Sequence, residues 1–152
     1  MKNLAIITFV LFLSHCGYSS VYKDQKLLNF QLDIIETKGD YEMNNLITNE
    51  IKLYSSKVSQ KIYYIKIDTD YEKEVLAKDS SGVITDYNLS VTSVFSVDLN
   101  NKNKTFKFEE NINIKNQTDT FEQNTYEKNI KRNFASSIRE KLILAILNTN
   151  DN

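Results

Sequence analysis

From Tyr87 to Leu99 every second residue, Tyr87, Leu89, Val91, Ser93, Phe95, Val97 and Leu99, is apolar or small, and most of those between, Asn88, Ser90, Thr92, Ser96 and Asp98, are polar. Only an extended strand collects such a pattern on one face, because its side chains alternate sides. A strand with one apolar face needs strand neighbours beside it and a second layer over it. The rest of the chain must supply both.

Weaker copies of the pattern supply the neighbours. Phe30, Leu32 and Ile34 alternate over Phe30–Glu36, and Tyr63, Ile65, Ile67 and Tyr71 share one side of Lys61–Tyr71. Asn100–Asn103 reads as a hairpin loop leading into a strand with Phe106, Phe108, Ile112 and Ile114 facing inward. Asp79-Ser80-Ser81-Gly82 is a loop signal, and Lys38-Gly39-Asp40 is a turn.

Two stretches change period to 3.6. Met43, Leu46, Ile47, Ile51 and Tyr54 fall on one helical face behind Asp40, a suitable N-cap. Phe134, Ala135, Ile138, Leu142, Ala145 and Ile146 form the stripe of a second helix over Asp119–Leu147, capped by Asp119 or Thr120 or starting nearer Tyr126. The expected order is β-α-β-β-β-α, an α+β domain over residues 30–147. It is a two-layer domain in which both helices cover one face of a four-stranded, mainly antiparallel sheet, and the other sheet face stays polar. Residues 148–152 read as a disordered tail.

The N-terminus carries a different message. Lys2 precedes the apolar run Leu4–Leu13, which ends in Ser14-His15-Cys16-Gly17. As a helix the run spans about 15 Å, half of a hydrocarbon core of about 30 Å, which fits a removable signal better than a membrane span. Leu13-Ser14-His15-Cys16 resembles the lipobox of bacterial lipoproteins, departing from it at His15, where a small residue is usual. The resemblance implies residues 1–15 as signal peptide, Cys16 as the acylated first residue of the mature chain, and 16–29 as a lipidated tether. Lipid chains contribute about 0.8 kcal/mol per buried methylene, so several of them hold a domain on a membrane. Gly17 stands where, in well-studied enterobacteria, an aspartate signals inner-membrane retention, so the outer membrane, periplasmic side, is expected.

Little remains for chemistry. Cys16 is the single cysteine, which excludes an internal disulfide, and the single histidine, His15, falls in the segment expected to be removed. Three isolated glycines build neither a phosphate cradle nor a nucleophile elbow. Losing Lys2 moves the net charge from -1 to about -2, which opposes a nucleic-acid partner, so the many tyrosines and phenylalanines read as core and sheet residues. No cofactor is expected beyond the acyl groups on Cys16. Glu109-Glu110 and Asp68/Asp70 are the carboxylate pairs that an enzyme or a calcium site would use, and alternation on a strand equally makes them a solvated face. Lys78, Lys102, Lys104 and Lys107 lie around the expected sheet ends, as contacts for the phosphates of a glycolipid or as solvated surface.

Taken in order, Cys16-Gly17-Tyr18, the β-α-β-β-β-α succession, the Gly82 loop before Asp86-Tyr87-Asn88-Leu89 and the terminal helix through Arg139–Leu147 resemble the LptE family. These are lipopolysaccharide-assembly lipoproteins, also called rare lipoprotein B. The resemblance implies a non-enzymatic plug and folding partner for the outer-membrane β-barrel LptD, with lipopolysaccharide as a possible ligand. Ser80 and Ser81 stand where family members can carry a basic residue before the glycine, and Lys78 is the nearest substitute. A different class, the auxiliary lipoprotein of a lipid-transporting ABC system, also combines a lipobox with a small α+β domain.

Overall fold

The computed structural model describes residues 30–55, 59, 61–99 and 102–150. Cys16, the signal segment and the expected tether lie outside the described residues. The elements are β1 (Gln31–Gly39), α1 (Tyr41–Tyr54), β2 (Ile62–Lys78), β3 (Ile84–Leu99), β4 (Lys102–Lys115) and α2 (Thr120–Asn150). They form one four-stranded sheet in the order β1-β2-β3-β4. β1 runs parallel to β2 through the α1 crossover, and the other two pairings are antiparallel. The fold is the α+β arrangement expected, with the predicted element order.

Register explains the alternation. Ile65 faces Val97, Ile67 faces Phe95 and Tyr71 faces Val91, so the inner residues of β2 and β3 stack as cross-strand pairs. Ser93 breaks the apolar series because it lies opposite Thr69, and the two buried hydroxyls bond each other at 3.1 Å. The core joins these residues to Met43, Ile47 and Ile51 of α1 and to Ile130, Phe134, Ile138, Leu142 and Ile146 of α2. Both helices therefore cover the same face of the sheet.

The helices also bond each other. Glu42 meets Lys131 at 2.6 Å and Glu50 meets Arg139 at 3.5 Å, so partners eight residues on in one helix are matched eight residues on in the other. α1 and α2 thus run side by side in the same direction. Each is capped as its sequence proposes: Asp40 Oδ1 accepts from Met43 N at 2.8 Å, and Asp119 Oδ1 accepts from Glu122 N at 2.9 Å.

Four boundaries differ from expectation. β1 continues past Glu36 to Gly39, because a bulge after Ile34 leaves Ile35 exposed and turns Glu36 outward, where it pairs with Lys66 at 2.9 Å and Lys38 at 3.0 Å. β2 runs on from Tyr71 to Lys78, beyond the reach of its apolar pattern, because β3 continues to pair with it. The hairpin expected over Asn100–Asn103 is tighter, with Leu99 opposite Lys102. The terminal helix begins at Thr120 behind the expected Asp119 cap, and it continues through Asn150 where a tail from Asn148 was expected. Thr149 Oγ1 there donates to Ala145 O at 2.9 Å, a bond along the helix that a polar sequence does not advertise.

Candidate functional site

The residues that sequence reading singled out are not gathered by the fold. Along β4, Glu109 and Glu110 point to opposite faces: Glu109 lies outside beside Lys107 at 2.5 Å, and Glu110 lies under α2 with Lys141 at 2.7 Å and Ser137. An acid-base pair is thereby excluded for these neighbours. Asp68 and Asp70 do share the outer face, on either side of buried Thr69. Among the described residues no group of three or more His, Cys, Asp or Glu side chains forms a cage for a metal ion.

The four lysines are divided as well. Lys102 lies opposite Leu99 at one end of β3, whereas Lys78 lies opposite Ile84 at the other. Sixteen residues of β3 at about 3.3 Å each separate these ends by about 50 Å. Lys107 is on the outer face, beside Glu109. Lys102 and Lys104, two residues apart on β4, share the opposite side. No single phosphate group is reached by all four.

The Asp79–Gly82 loop is closed on itself. Asp79 Oδ1 accepts from Ser81 Oγ at 2.6 Å, Ser81 N at 2.9 Å and Val83 N at 3.0 Å, and Gly82 takes φ 85° to let the chain return. The Ser81 hydroxyl bond, followed by the Val83 backbone bond, holds the Asp79 carboxyl below the usual carboxylate range. Ser81 is therefore a structural residue of the turn.

Periodicity gave no sign of a polar seam where α2 meets the sheet. Lys73 pairs with Glu127 and lies 4.1 Å from the Tyr87 ring centre, while Lys131 pairs with Glu42 and lies 4.3 Å from that of Tyr71. Burial opposes the charge on Glu127, but the bonds from Lys73 and Gln123 outweigh it, so its pKa is lowered. The Tyr71 hydroxyl is buried with no hydrogen-bond partner among the described residues, and burial, then Glu127, Glu42 and Asp40, pushes its pKa up to about 12. Lys73 sits on the inner face of a strand where an apolar residue was the natural expectation. The one signal in the sequence was the spacing of Gln123, Glu127 and Lys131, four apart on the helix.

The outer sheet face is left uncovered by the helices. Its central strand presents Asn88, Ser90, Thr92, Val94 and Ser96, with Asn88 donating to Asn113 Oδ1 of β4 at 2.8 Å. β3 offers short neutral hydrogen-bonding groups there, flanked by the charged Lys66, Asp68 and Asp70 of β2 and Lys107 and Glu109 of β4, so the face is polar and suits contact with a wet, polar wall.

No family model matches the chain, and no curated protein matches it. Solved structures do. The crystal structure of rare lipoprotein B from Shewanella oneidensis superposes with a TM-score of 0.60 at 15% identity, over 80% of this chain and 97% of that one. A putative lipoprotein from Caulobacter crescentus superposes with a TM-score of 0.54 at 8% identity, over 80% of this chain and 92% of that one. The chain has the fold of rare lipoprotein B.

Proposed function

We propose that this chain is an outer-membrane lipoprotein of LptE type, acylated at Cys16 and exposed to the periplasm, which plugs a large β-barrel of the LptD kind and helps it assemble for lipopolysaccharide transport. The observation that carries the reading is the fold shared with rare lipoprotein B over nearly the whole of that protein, on a chain whose N-terminus resembles a lipobox. The polar outer sheet face supports it, since the lumen of a large barrel is lined by polar residues. The role in this reading is non-enzymatic, which is supported by the placement of Glu109 and Glu110 on opposite faces of the sheet and by the lack of histidine after His15 in the sequence. Barrel plugging, rather than one four-lysine glycolipid site, is the substance of the proposal.

Affinity purification of the chain from detergent-solubilised membranes tests it. A barrel protein of several hundred residues should co-purify in equal amount. Recovery with an inner-membrane permease and ATPase would transfer the chain to the ABC-system class, and recovery of a lone monomer would end the plug proposal.

A further inference from the structure

β4 is an edge of the sheet, with β3 on one side and, among the described residues, no strand on the other. Antiparallel neighbours alternate between opposite residues that exchange both backbone bonds and opposite residues that exchange none. Asn116 N donates to Thr85 O at 2.8 Å, which assigns the even-numbered residues from Lys102 to Ile114 to the bonds with β3. The backbone groups of the odd-numbered residues from Asn103 to Lys115 therefore point out of the sheet. Glu109 O, met from that side by Lys141 Nζ at 3.4 Å, confirms the direction.

The two edges differ as templates for a further strand. β1 is nine residues long and interrupted by a bulge after Ile34, which discourages pairing. β4 runs fourteen residues in unbroken register. On its inner side Phe106 and Phe108 are only partly buried and stack on each other with ring centres 6.4 Å apart, and Ile112 is 40% exposed. A lysine ordinarily blunts such an edge, but the central one, Lys107, is neutralised by Glu109 at 2.5 Å.

The order of charges selects the strand that fits. If β4 pairs antiparallel with a second β4 about a two-fold axis at Phe108, each Lys107 lies opposite the partner's Glu109. Moving the axis by one residue, to 107 or 109, sets lysine on lysine or glutamate on glutamate, which is destabilising. The axis at Phe108 also brings the two Phe108 side chains together on the inner face, at a non-bonded position where Cα atoms approach to about 4.5 Å. Lys102 and Lys104 then lie opposite the partner's Ile114 and Ile112, and no lysine lies opposite a lysine. Glu110 keeps its own partner, Lys141 at 2.7 Å.

We infer that β4 is a docking edge for a second copy of this chain, joined strand to strand around Phe108 into a sheet of eight strands with all four helices on one face. The two-fold axis sends the two chain starts to opposite ends of the paired sheet. From Cys16 to Phe30 the chain reaches about 50 Å when extended, so with the strands lying along the membrane two lipid anchors meet one leaflet. The inference goes beyond the plug reading and belongs to a different moment. The pair is the form of the chain outside a barrel, and a copy that enters a lumen must first release β4 from its partner.

The test uses the full chain as cells produce it, purified without a barrel in mild detergent and followed by sedimentation equilibrium over a range of concentrations. A reversible dimer is expected. K107E and E109K should each weaken it about tenfold, since each creates two like-charge pairs, and the chain carrying both changes should recover it. Asn111→Pro removes an outward N–H, leaves the bonds to β3 in place and should weaken the dimer as well. A monomer at every concentration overturns the pairing, and so does a dimer that the single reversals leave unchanged or that the double change does not restore. A chain that is monomeric alone, and whose odd-numbered β4 amides gain protection from hydrogen exchange only in a barrel complex, overturns it too and gives the edge to the barrel. Should circular dichroism show the proline variant unfolded, the charge exchange decides. The dimer is measured without a barrel, so it stands or falls independently of the co-purification above.

Discussion

Tyr71 holds a hydroxyl at the junction of α2 and the sheet without a hydrogen-bond partner among the described residues, while its ring is covered by Lys131. A buried hydroxyl left unpaired costs about 1–3 kcal/mol, so removing the oxygen and keeping the ring relieves more than it loses. Tyr71→Phe should therefore leave stability at pH 7 unchanged or raise it by about 1 kcal/mol in urea denaturation, whereas Tyr71→Ala should lower it by about 3 kcal/mol. The same position has an alkaline signature. Because the folded-state pKa is raised to about 12, the stabilisation is complete below the ordinary value of about 10 and is lost as pH rises from there through 12. Tyr71→Phe should lack that part of the alkaline decline. Glycines give a second contrast. A Cβ on Gly39 would stand 2.0 Å from Thr69 O at φ 80°, while one on Gly82 meets nothing within 4 Å at φ 85°. Gly39→Ala should cost more than about 3 kcal/mol and Gly82→Ala about 1 kcal/mol, and equal melting temperatures for the two would refute the backbone contact as the reason.

At the scale of elements, α2 is fixed to the sheet by apolar packing along its second half and by ionised carboxylates along its length. Glu127 and Glu110 are each mostly buried, and each finds its burial outweighed by hydrogen bonds, from Lys73 and Gln123 in one case and Lys141 and Ser137 in the other. Both folded-state pKa values are lowered, so the unfolded chain binds more protons in acid. Their contribution is present above the ordinary glutamate value of about 4.3 and is lost as pH falls through the lowered folded values. A Glu110→Gln, Glu127→Gln variant should lose about 1–3 kcal/mol at pH 7 and show a shallower decline below pH 5 in denaturant titrations. Neither bond was legible beforehand, since adjacent glutamates on a strand say nothing of which helix passes over one of them. What local sequence does specify is period and cap: the alternation through Phe95 and the N-caps Asp40 and Asp119 correspond to the elements found. It missed the bulge after Ile34 because a two-residue alternation cannot announce its own interruption. It stopped α2 early because Asn148 and Thr149 are poor helix formers held by continuity with a packed helix. The candidate site was less legible still. The lysines proposed from the sequence sit at opposite ends of the sheet, a separation set by strand length and pairing rather than by anything within a few residues of each.

For the whole molecule, the decisive question is how many of its sides a partner covers. An adapter that docks through one surface buries the sheet face or the helices, but a plug is surrounded. Asn111 on the outer face of β4 and Asn133 on α2 are both exposed and point away from each other across the two layers. A photo-crosslinking residue at either position should capture the same barrel protein, with the adducts mapping to different strands of that barrel. Capture from position 111 alone would describe a partner seated on the polar sheet, and capture from 133 alone one seated on the helices. Stability separates this from misfolding: Phe95→Ala, which empties a fully buried position beneath both helices, should cost about 3–5 kcal/mol and abolish both adducts together. Exposed substitutions on one face should affect only that face's adduct. A chain that is stable alone, yet crosslinks from both faces to one barrel, would have the surface of a soluble domain and the surroundings of a core, which is the physical meaning of a plug.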